Sequence, residues 1–258
     1  MCAMSDHELI HSTDRGEIWT GDSLAGLPEG ERWGCVVSDP PYSGRMHEGH
    51  KSGVDATHST PKAVPRPGRP GQYDQPLDRR HLDYPSWASA EVETATTTWH
   101  ARTDGWICIL TDHLLAREWE AALSATGRYV FAPLPCYSPG SRVRLAGDGP
   151  SSWTVWLIVS RPRCKPYSNW GTLPGGYVYK PGKMPLVGGK PLSLMRAIVS
   201  DYSRPGDLVA DPCCGAGSTL QAAEDLDRRY WGMDKDRSHA EMAAGRMGAS
   251  VSPGPLFE

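Results

Sequence analysis

Phenylalanine is nearly absent from this chain of 258 residues, which contains two Phe against ten Trp and ten Tyr. Most aromatic packing must therefore come from rings that carry a polar atom, and such rings also stack on flat ligands. The hydrophobic fraction of 39% is sufficient for a folded core and excludes a disordered chain.

The cysteine patterns of disulfide-rich and zinc-binding proteins are also absent. Seven cysteines are scattered along the chain, and none forms a Cys-x-x-Cys pair. This argues against a disulfide framework and against a zinc site. His47 and His50 have the spacing of metal ligands, but no third ligand lies near them in sequence, so we expect no metal.

The sequence has no run that approaches the length of about 20 apolar residues needed to span a membrane. The first residues, MCAMSDHELIHSTDRGE, lack the apolar centre of a signal peptide. The net charge of −3 gives no overall attraction to nucleic acid, so any such attraction must come from local patches. We expect a cytoplasmic protein without membrane contact.

Strand-like apolar runs alternate with helical stretches along the chain. Strands are predicted at the start of 17–27 and over 33–38, 105–112, 128–134, 153–160, 206–212 and 228–234. Helices are predicted over 84–102, 113–127, 190–203, 217–227 and 236–247. Residues 1–16 are predicted to be a loose lead. This alternation favours an α/β fold with a mainly parallel seven-stranded sheet and helices on both faces.

The segment SDPPYSG, residues 38–44, directly follows an apolar strand. Its two prolines predict a rigid corner that holds Asp39 and Tyr42 at the end of that strand. A carboxylate and the Pro40 carbonyl could accept both hydrogens of the amino group of adenine or cytosine, and Tyr42 could stack on the base. An ordinary strand-ending turn is the alternative.

A second segment, LVADPCCGAGSTLQAAEDLDRRYWGMD, spans 208–234. A buried strand is followed by a tight turn at Gly215 and Gly217, a helix, a second strand and then Asp234. Glycines allow a ligand to approach the backbone, and an acid about 20 residues later suits ribose hydroxyls. The turn lacks the dinucleotide pattern G-x-G-x-x-G, so a dinucleotide turn or a turn without a ligand stays open.

Together the two segments resemble the amino-type DNA methyltransferases. The corner resembles their DPPY catalytic motif of the N6-adenine type. The turn resembles their DPFxGSGTT motif, which binds S-adenosylmethionine, and the matching residues are Asp211, Pro212, Cys214, Gly215, Gly217, Ser218 and Thr219. Cys213 replaces the usual phenylalanine of that cofactor-binding turn, so some of the packing on the cofactor must come from elsewhere.

Two further segments extend the resemblance. The segment that contains Lys190, Pro191 and Leu192 resembles a family stretch that helps to bind the methionine end of the cofactor, and Asp22 matches an aspartate that contacts the cofactor's adenine. The catalytic motif precedes the cofactor motif, which is the order of the permuted beta group. That order implies a target-recognition region between the motifs, at approximately 133–185.

The resemblance implies one Rossmann-like catalytic domain over 1–258 that moves a methyl group from S-adenosylmethionine to adenine N6 in DNA. The implied catalytic residues are Asp39, Pro40, Pro41 and Tyr42. The partner would be DNA with a flipped or single-stranded target adenine, and the protein a monomer or homodimer of a bacterial, archaeal or phage-infected cell, within or outside restriction–modification. An N4-cytosine or RNA base methyltransferase, or a non-catalytic binder of cofactor or DNA, stays open.

Basic residues dominate the middle of the chain. Between 121 and 200 the only acid is Asp148, against ten Arg and Lys and nine aromatic residues, which suits a nucleic-acid surface. Segment 43–82, rich in proline, is predicted to be a mobile loop, and 161–176 a surface loop, although several rings could belong to the core. The predicted DNA contacts are Arg45, Lys51, Arg142, Arg144, Arg161, Arg163, Lys165 and Trp170.

Overall fold

The computed structural model describes residues 7–45, 85–139, 153–180, 185–186 and 188–248. Its strands are β1 (Glu8–Ser12), β2 (Gly16–Thr20), β3 (Trp33–Ser38), β4 (Thr103–Thr111), β5 (Tyr129–Val130), β6 (Leu134–Ser138), β7 (Trp153–Arg161), β8 (Tyr177–Val178), β9 (Leu208–Asp211) and β10 (Arg229–Asp234). Its helices are α1 (Ser89–Arg102), α2 (Ala116–Ala125), α3 (Lys165–Ser168), α4 (Leu192–Tyr202), α5 (Ser218–Asp225) and α6 (Arg237–Gly248).

All strands belong to one sheet, in the order β1-β2-β10-β9-β3-β4-β7-β6-β8, with β5 also paired to β7. The five strands from β2 to β4 in this order are mutually parallel. Beyond β4 the sheet becomes antiparallel through β7 and β6, and β8 lies parallel to β6. The predicted α/β class with a largely parallel sheet is confirmed, although the described sheet has ten strands rather than seven.

Helices cover both faces of the sheet, as predicted. On one face α4, α5 and α6 bury residues such as Ile198, Leu220 and Ala243 in a common core. On the other face α1 and α2 bury Trp99 and Trp119, whose rings stack with centroids 5.8 Å apart. The scarce phenylalanine is thus replaced by tryptophan in the core.

The short strands were missed by the sequence patterns. The loose lead predicted at 1–16 is wrong over Glu8–Ser12, because the backbone of these residues pairs with β2 although their side chains are largely exposed. The strand predicted over 128–134 is reduced to Tyr129–Val130, since Pro133 lacks the N–H needed to continue a ladder.

The centre of the sheet contains a topological switch point. From β9 the chain crosses through α5 to β10, towards the β1 end of the sheet, whereas from β3 it crosses through α1 to β4, towards the other end. The carboxyl ends of β9 and β3 therefore border a crevice in which α/β proteins typically bind ligands. The edge of the sheet at these carboxyl ends is called the catalytic edge below.

Two predictions concern parts of the chain outside the described residues. The loop predicted at 43–82 is described only as far as Arg45, and the predicted contacts Lys51, Arg142 and Arg144 lie outside the described ranges altogether. In the described ranges, no helix is long and apolar enough to cross a membrane. The same residues contain no group of three His, Cys, Asp or Glu arranged to hold a metal ion.

Candidate active site

Asp39 follows β3 at the catalytic edge, and the corner after it is held by a second acid. The buried carboxylate of Asp112, which follows β4, accepts a hydrogen bond from the Ser43 backbone at 2.8 Å. It also accepts the amides of Leu114 and Leu115. Burial raises the pKa of Asp112, but these hydrogen bonds outweigh it and leave the pKa below the ordinary value. Asp112 is therefore an ionised anchor for the corner.

The carboxylate of Asp39 has one partner on each oxygen. The Tyr42 hydroxyl donates to Oδ1 at 2.8 Å, and the Lys190 ammonium donates to Oδ2 at 2.6 Å. Lys190 also donates to the Gly188 carbonyl at 2.9 Å. The resemblance assigned Lys190 to the cofactor, whereas the structure directs its ammonium to Asp39.

The glycine turn lies across the switch point from this corner. Gly215 and Gly217 have φ of +50° and +75°, and a methyl group at Gly217 would lie 2.9 Å from the Cβ of Ala243. The Gly215 amide donates to Asp234 at 2.8 Å, which fixes the turn against β10. No side chain caps α5, so the N–H groups of its first turn are available to a ligand.

Asp211, the last residue of β9, lies beneath the glycine turn and joins it to β3. Its carboxylate accepts hydrogen bonds from Ser38 at 2.7 Å, Thr219 at 2.6 Å and the Cys213 amide at 3.1 Å. Asp211 and Thr219 are each 2% exposed. The side chains of these two residues are therefore directed to the protein, and the direct cofactor contact predicted for them stays a prediction.

The other predicted residues of the cofactor site divide by exposure. Cys213, Gly215 and Ser218 are partly exposed on the turn, and Leu192 is partly exposed at the start of α4. A second group is buried and shapes the site from behind: Pro212, Cys214, Gly217 and Pro191. Burial raises the pKa of both cysteine thiols well above the ordinary value, so they are unreactive fillers.

Asp22 and Asp234 complete the edge on the far side of the turn. Asp22 follows β2, accepts the Leu24 amide at 3.0 Å and pairs with Lys235 at 2.7 Å. Burial raises its pKa, but the bonds from Lys235 and Leu24 outweigh it and lower the pKa overall. Asp234 ends β10 and accepts the Asp236 amide at 2.9 Å as well as that of Gly215.

The sheet order places these groups in a row. Asp22, Asp234, the glycine turn and Asp39 follow four successive parallel strands, β2, β10, β9 and β3. Neighbouring strands lie about 4.8 Å apart, so the row is roughly 14 Å long. A single elongated ligand can contact all four, with one end at Asp22 and the other at Asp39.

The predicted DNA contacts of 161–176 lie away from this row. Trp106 of β4 pairs with Cys35, which is four residues, or about 13 Å, before Asp39 along β3. Arg161 ends the antiparallel β7 at the same distant level, because Ser160 pairs with Ile107. The structure therefore does not bring Arg161, Arg163, Lys165 or Trp170 to the catalytic edge.

Segment 161–176 lies at the surface, as its Gly and Pro content predicted, since most of its residues are exposed and none is buried. Tyr167, Trp170 and Leu173 pack against the core, and the Trp170 indole donates to the Asp201 carbonyl at 2.7 Å. The Tyr167 and Trp170 rings stack, and both contact Trp106 edge-on. The two rings are thus half-buried at the border of the core, because Trp106 provides an apolar surface that the segment covers.

Arg45 is exposed two residues after the buried Ser43 and is the one predicted DNA contact described at the catalytic edge. β6 ends and β7 begins at this edge too, since Ser138 pairs with Trp153. β6 and β7 belong to the main sheet, so the predicted target-recognition region, 133–185, includes part of the scaffold. Its role in recognition stays a prediction.

Sequence reasoning missed Ser38, Asp112 and the contact between Lys190 and Asp39. A signal existed for Asp112, because an acid directly after a strand that neighbours the catalytic strand lies at the same edge. Ser38 could have been noted as the last residue of β3. No signal linked Lys190 to Asp39, since 151 positions separate them.

Comparison with known proteins agrees with this geometry. A model of the DNA methylase family, N6/N4 type, matches residues 149–245. That range includes Lys190, the glycine turn and Asp234. Over these residues, which are less than half of the chain, the sequence is similar to the DNA methylase family. The catalytic corner at 38–44 precedes the matched range, so the amino-type motif and the permuted order stay predictions.

Curated proteins match short stretches of the chain. The type II methyltransferase M.EcaI of Enterobacter cloacae is 42% identical over 64 residues, which are 25% of this chain and 14% of that protein. The type II methyltransferase M.HindIII of Haemophilus influenzae is 36% identical over 59 residues, 23% of this chain and 19% of that protein. The matches thus span less than a fifth of either relative.

Solved structures share the fold over most of the chain. The M1.HpyAVI–SAM complex superposes with a TM-score of 0.57 at 16% identity, over 84% of this chain and 89% of that one. The cytosine-N4-specific PvuII DNA methyltransferase gives 0.52 at 16% identity, over 93% and 89%. These similarities confirm the Rossmann-like methyltransferase fold predicted from the sequence.

Proposed function

We propose that this chain binds S-adenosylmethionine and transfers its methyl group to the N6 amino group of adenine in DNA. The observation that carries the proposal is the row at the switch point, which ends in Asp39 on a rigid corner. When bound, the cofactor supplies an electrophilic methyl group. The residues of the chain bind the cofactor, orient the target base and hold the two in one relative geometry.

The row fits this cofactor. Asp22, a partly exposed acceptor, suits the adenine amino group, and Asp234 suits the ribose hydroxyls. The uncapped start of α5 and the residues at the start of α4 suit the methionine end. The positive φ of Gly215 and Gly217 keeps the turn close to β9, where a side chain would be strained.

Asp39 and Pro40 would orient the target amino group. The nitrogen lone pair of adenine N6 is delocalised into the ring, so the amine is a poor nucleophile. Asp39 can accept one N–H and the Pro40 carbonyl the other, which favours a nitrogen whose lone pair points away from both. Tyr42, whose hydroxyl is bonded to Asp39, would present its ring to the base.

The target base must leave its helix to reach this corner. Asp39 lies on a rigid turn with a side chain 21% exposed, and such a position cannot be reached by a stacked and paired base. The proton of the methylated nitrogen becomes acidic only after the methyl group arrives, so Asp39 or water can accept it then. No strong base is needed beforehand.

The choice of adenine rests on Asp39, since the N4-cytosine motif more often carries serine at this position. N4-cytosine is the second candidate, because the PvuII enzyme has the same fold. We treat the chain as a monomer or homodimer that acts in a bacterial, archaeal or phage-infected cell.

The test is to incubate the protein with methyl-labelled S-adenosylmethionine and unmethylated DNA, digest the DNA and identify the labelled nucleoside. We expect N6-methyladenine from the wild type and a loss of at least about 100-fold in Asp39→Asn. Label in N4-methylcytosine would change the base assignment, and label only in RNA would change the substrate. Cofactor binding without any transfer would overturn the proposed activity.

A further inference from the structure

We propose that Lys190 is a positioning residue for Asp39 and not a ligand of the cofactor. This inference rests on the proposed function, because it concerns how the catalytic carboxylate is prepared for the amino group. It departs from the role that sequence resemblance gives to the same lysine. The observations that carry it are the contacts of the Lys190 ammonium, its burial and the charges around it.

The first step concerns the carboxylate. A carboxylate offers about four lone pairs, two on each oxygen. Among the described residues, Tyr42 takes one on Oδ1 and Lys190 takes one on Oδ2, so both oxygens are restrained and each has capacity for a further donor. Two fixed donors on opposite oxygens determine the rotation of the Asp39 side chain before a base arrives.

The second step concerns the lysine itself. Its side chain is 8% exposed and its ammonium has two carbonyl-type partners, Asp39 and Gly188. The backbone at Lys190 is fixed because Pro191 and Leu192 begin α4 directly after it. A flexible side chain is thus held at both ends, which is what a positioning role requires.

The third step concerns the shielding of the pair. Burial raises the pKa of Cys136 on β6 to about 12, with Lys190 lowering it and Asp39 raising it. Burial, Cys136 and Asp39 also raise the pKa of Tyr179 to about 12. Asp39 acts on both pKa values and Lys190 on that of Cys136, so the pair lies near β6. Cys136 itself is fully buried, and a charge pair next to such surroundings is screened less than one in water.

The fourth step concerns charge. The cofactor carries a positive sulfonium, so an unpaired ammonium beside it would be repelled. In the structure the Lys190 charge is compensated by Asp39 at 2.6 Å. A lysine that directs two of its three donors to Asp39 and Gly188, and whose charge is compensated by Asp39, is better suited to hold the carboxylate than to hold the cofactor.

The test is a double-mutant cycle of Lys190→Met and Asp39→Asn, with turnover measured at saturating S-adenosylmethionine and cofactor Kd measured by calorimetry. We expect Lys190→Met to lower kcat by about tenfold to 100-fold while cofactor Kd changes less than about threefold. In the Asp39→Asn background the same substitution should have almost no further effect on kcat, because the lysine acts through Asp39.

Two results would overturn the inference. Cofactor Kd raised tenfold or more, with kcat unchanged at saturation, would return Lys190 to the cofactor site. If the kcat losses of the two single variants multiply in the double variant, Lys190 acts independently of Asp39. Lys190→Arg, which keeps the charge and a donor, replaces the methionine variant if that protein does not fold, and it should retain more activity than Lys190→Gln.

The inference and the proposed function fail differently. If the wild type transfers no methyl group, the proposed function is wrong and the role of Lys190 falls with it. If the wild type methylates DNA but the kcat losses of the two substitutions are independent, only the role of Lys190 is wrong.

Discussion

The parallel half of the sheet, β2 to β4, and the antiparallel half, β7, β6 and β8, use their loops differently. In the parallel half each strand ends at the same edge, so Asp22, Asp234, the glycine turn and Asp39 converge although they are far apart in sequence. In the antiparallel half consecutive connections alternate between edges.

This difference explains why one set of site residues converges and the other does not. The basic and aromatic residues of 121–200 are close in sequence, yet Arg161 lies at the far edge while Ser138 and Trp153 lie at the catalytic edge. Adjacency in sequence therefore predicts a shared surface only where strand direction is known. The parallel half brings the acids and the glycine turn into one row, and in the antiparallel half the buried Cys136 lies near Asp39 and Lys190.

The largest effect is expected for a substitution at Asp39, where the row of the parallel half ends. Asp39→Asn keeps the shape and one acceptor for Lys190 but removes the charge, and we expect kcat to fall at least about 100-fold. Cofactor Kd should change little. The matched control is Lys165→Ala, which lies on α3 at the far edge and should leave kcat unchanged. Equal losses in both variants would contradict the division between the halves.

The next effect concerns the link between β3 and β9. Burial raises the pKa of Asp211 to about 7 from 3.8, although Thr219, Ser38 and Cys213 lower it by hydrogen bonding. Because the folded-state pKa is the higher one, the contribution of Asp211 to stability is complete below about pH 4 and is lost as the pH rises through 7.

Urea unfolding at pH 5 and pH 8 tests this. The wild type should lose more stability between the two pH values than Asp211→Asn, by an amount on the order of a few kcal/mol. Equal losses in the two proteins would mean that Asp211 stays ionised throughout, with its three donors outweighing burial.

A smaller effect is expected at the turn. Gly217→Ala places a methyl group 2.9 Å from the Ala243 Cβ on a backbone with φ of +75°, and should cost about 1–3 kcal/mol of unfolding free energy. Gly175→Ala is the control, because nothing lies within 4 Å of the position that its methyl group would occupy. Equal stability of the two variants in urea unfolding would show that the turn accommodates a methyl group at Gly217 without a large loss of stability.

The smallest effect is expected for an exposed side chain, and it concerns DNA binding. Arg45 is exposed at the catalytic edge, so Arg45→Ala should weaken DNA binding a fewfold and reduce the slope of log affinity against log salt by about one. Lys165→Ala should leave the slope unchanged. A reduced slope for Lys165→Ala alone would move the DNA surface to the far edge.

Sequence patterns predicted the parallel half well. β3 was predicted at its observed bounds, and the turn and the corner were both placed after strands, because buried parallel strands are continuous apolar runs and their ends carry motifs. β1, β6 and β8 were missed, since short strands are set by backbone pairing and their side chains carry little pattern.

The candidate site was predicted in composition and only partly in geometry. Asp39, Tyr42 and the turn are where the motifs placed them. The direction of the Lys190 ammonium and the burial of Asp211 depend on packing between distant elements, which local pattern does not encode. The packing of Trp170 was missed for the same reason, because Trp170 covers Trp106, which belongs to a distant strand.

The central claim is that one cofactor lies along the row with its reactive end at Asp39. A crystal structure of the protein with S-adenosylmethionine tests this most directly. We expect the adenosine at Asp22 and Asp234, the methionine end at the glycine turn and the start of α4, and the methyl group directed towards Asp39. A cofactor bound in the reverse direction, or away from the switch point between β9 and β3, would contradict the claim.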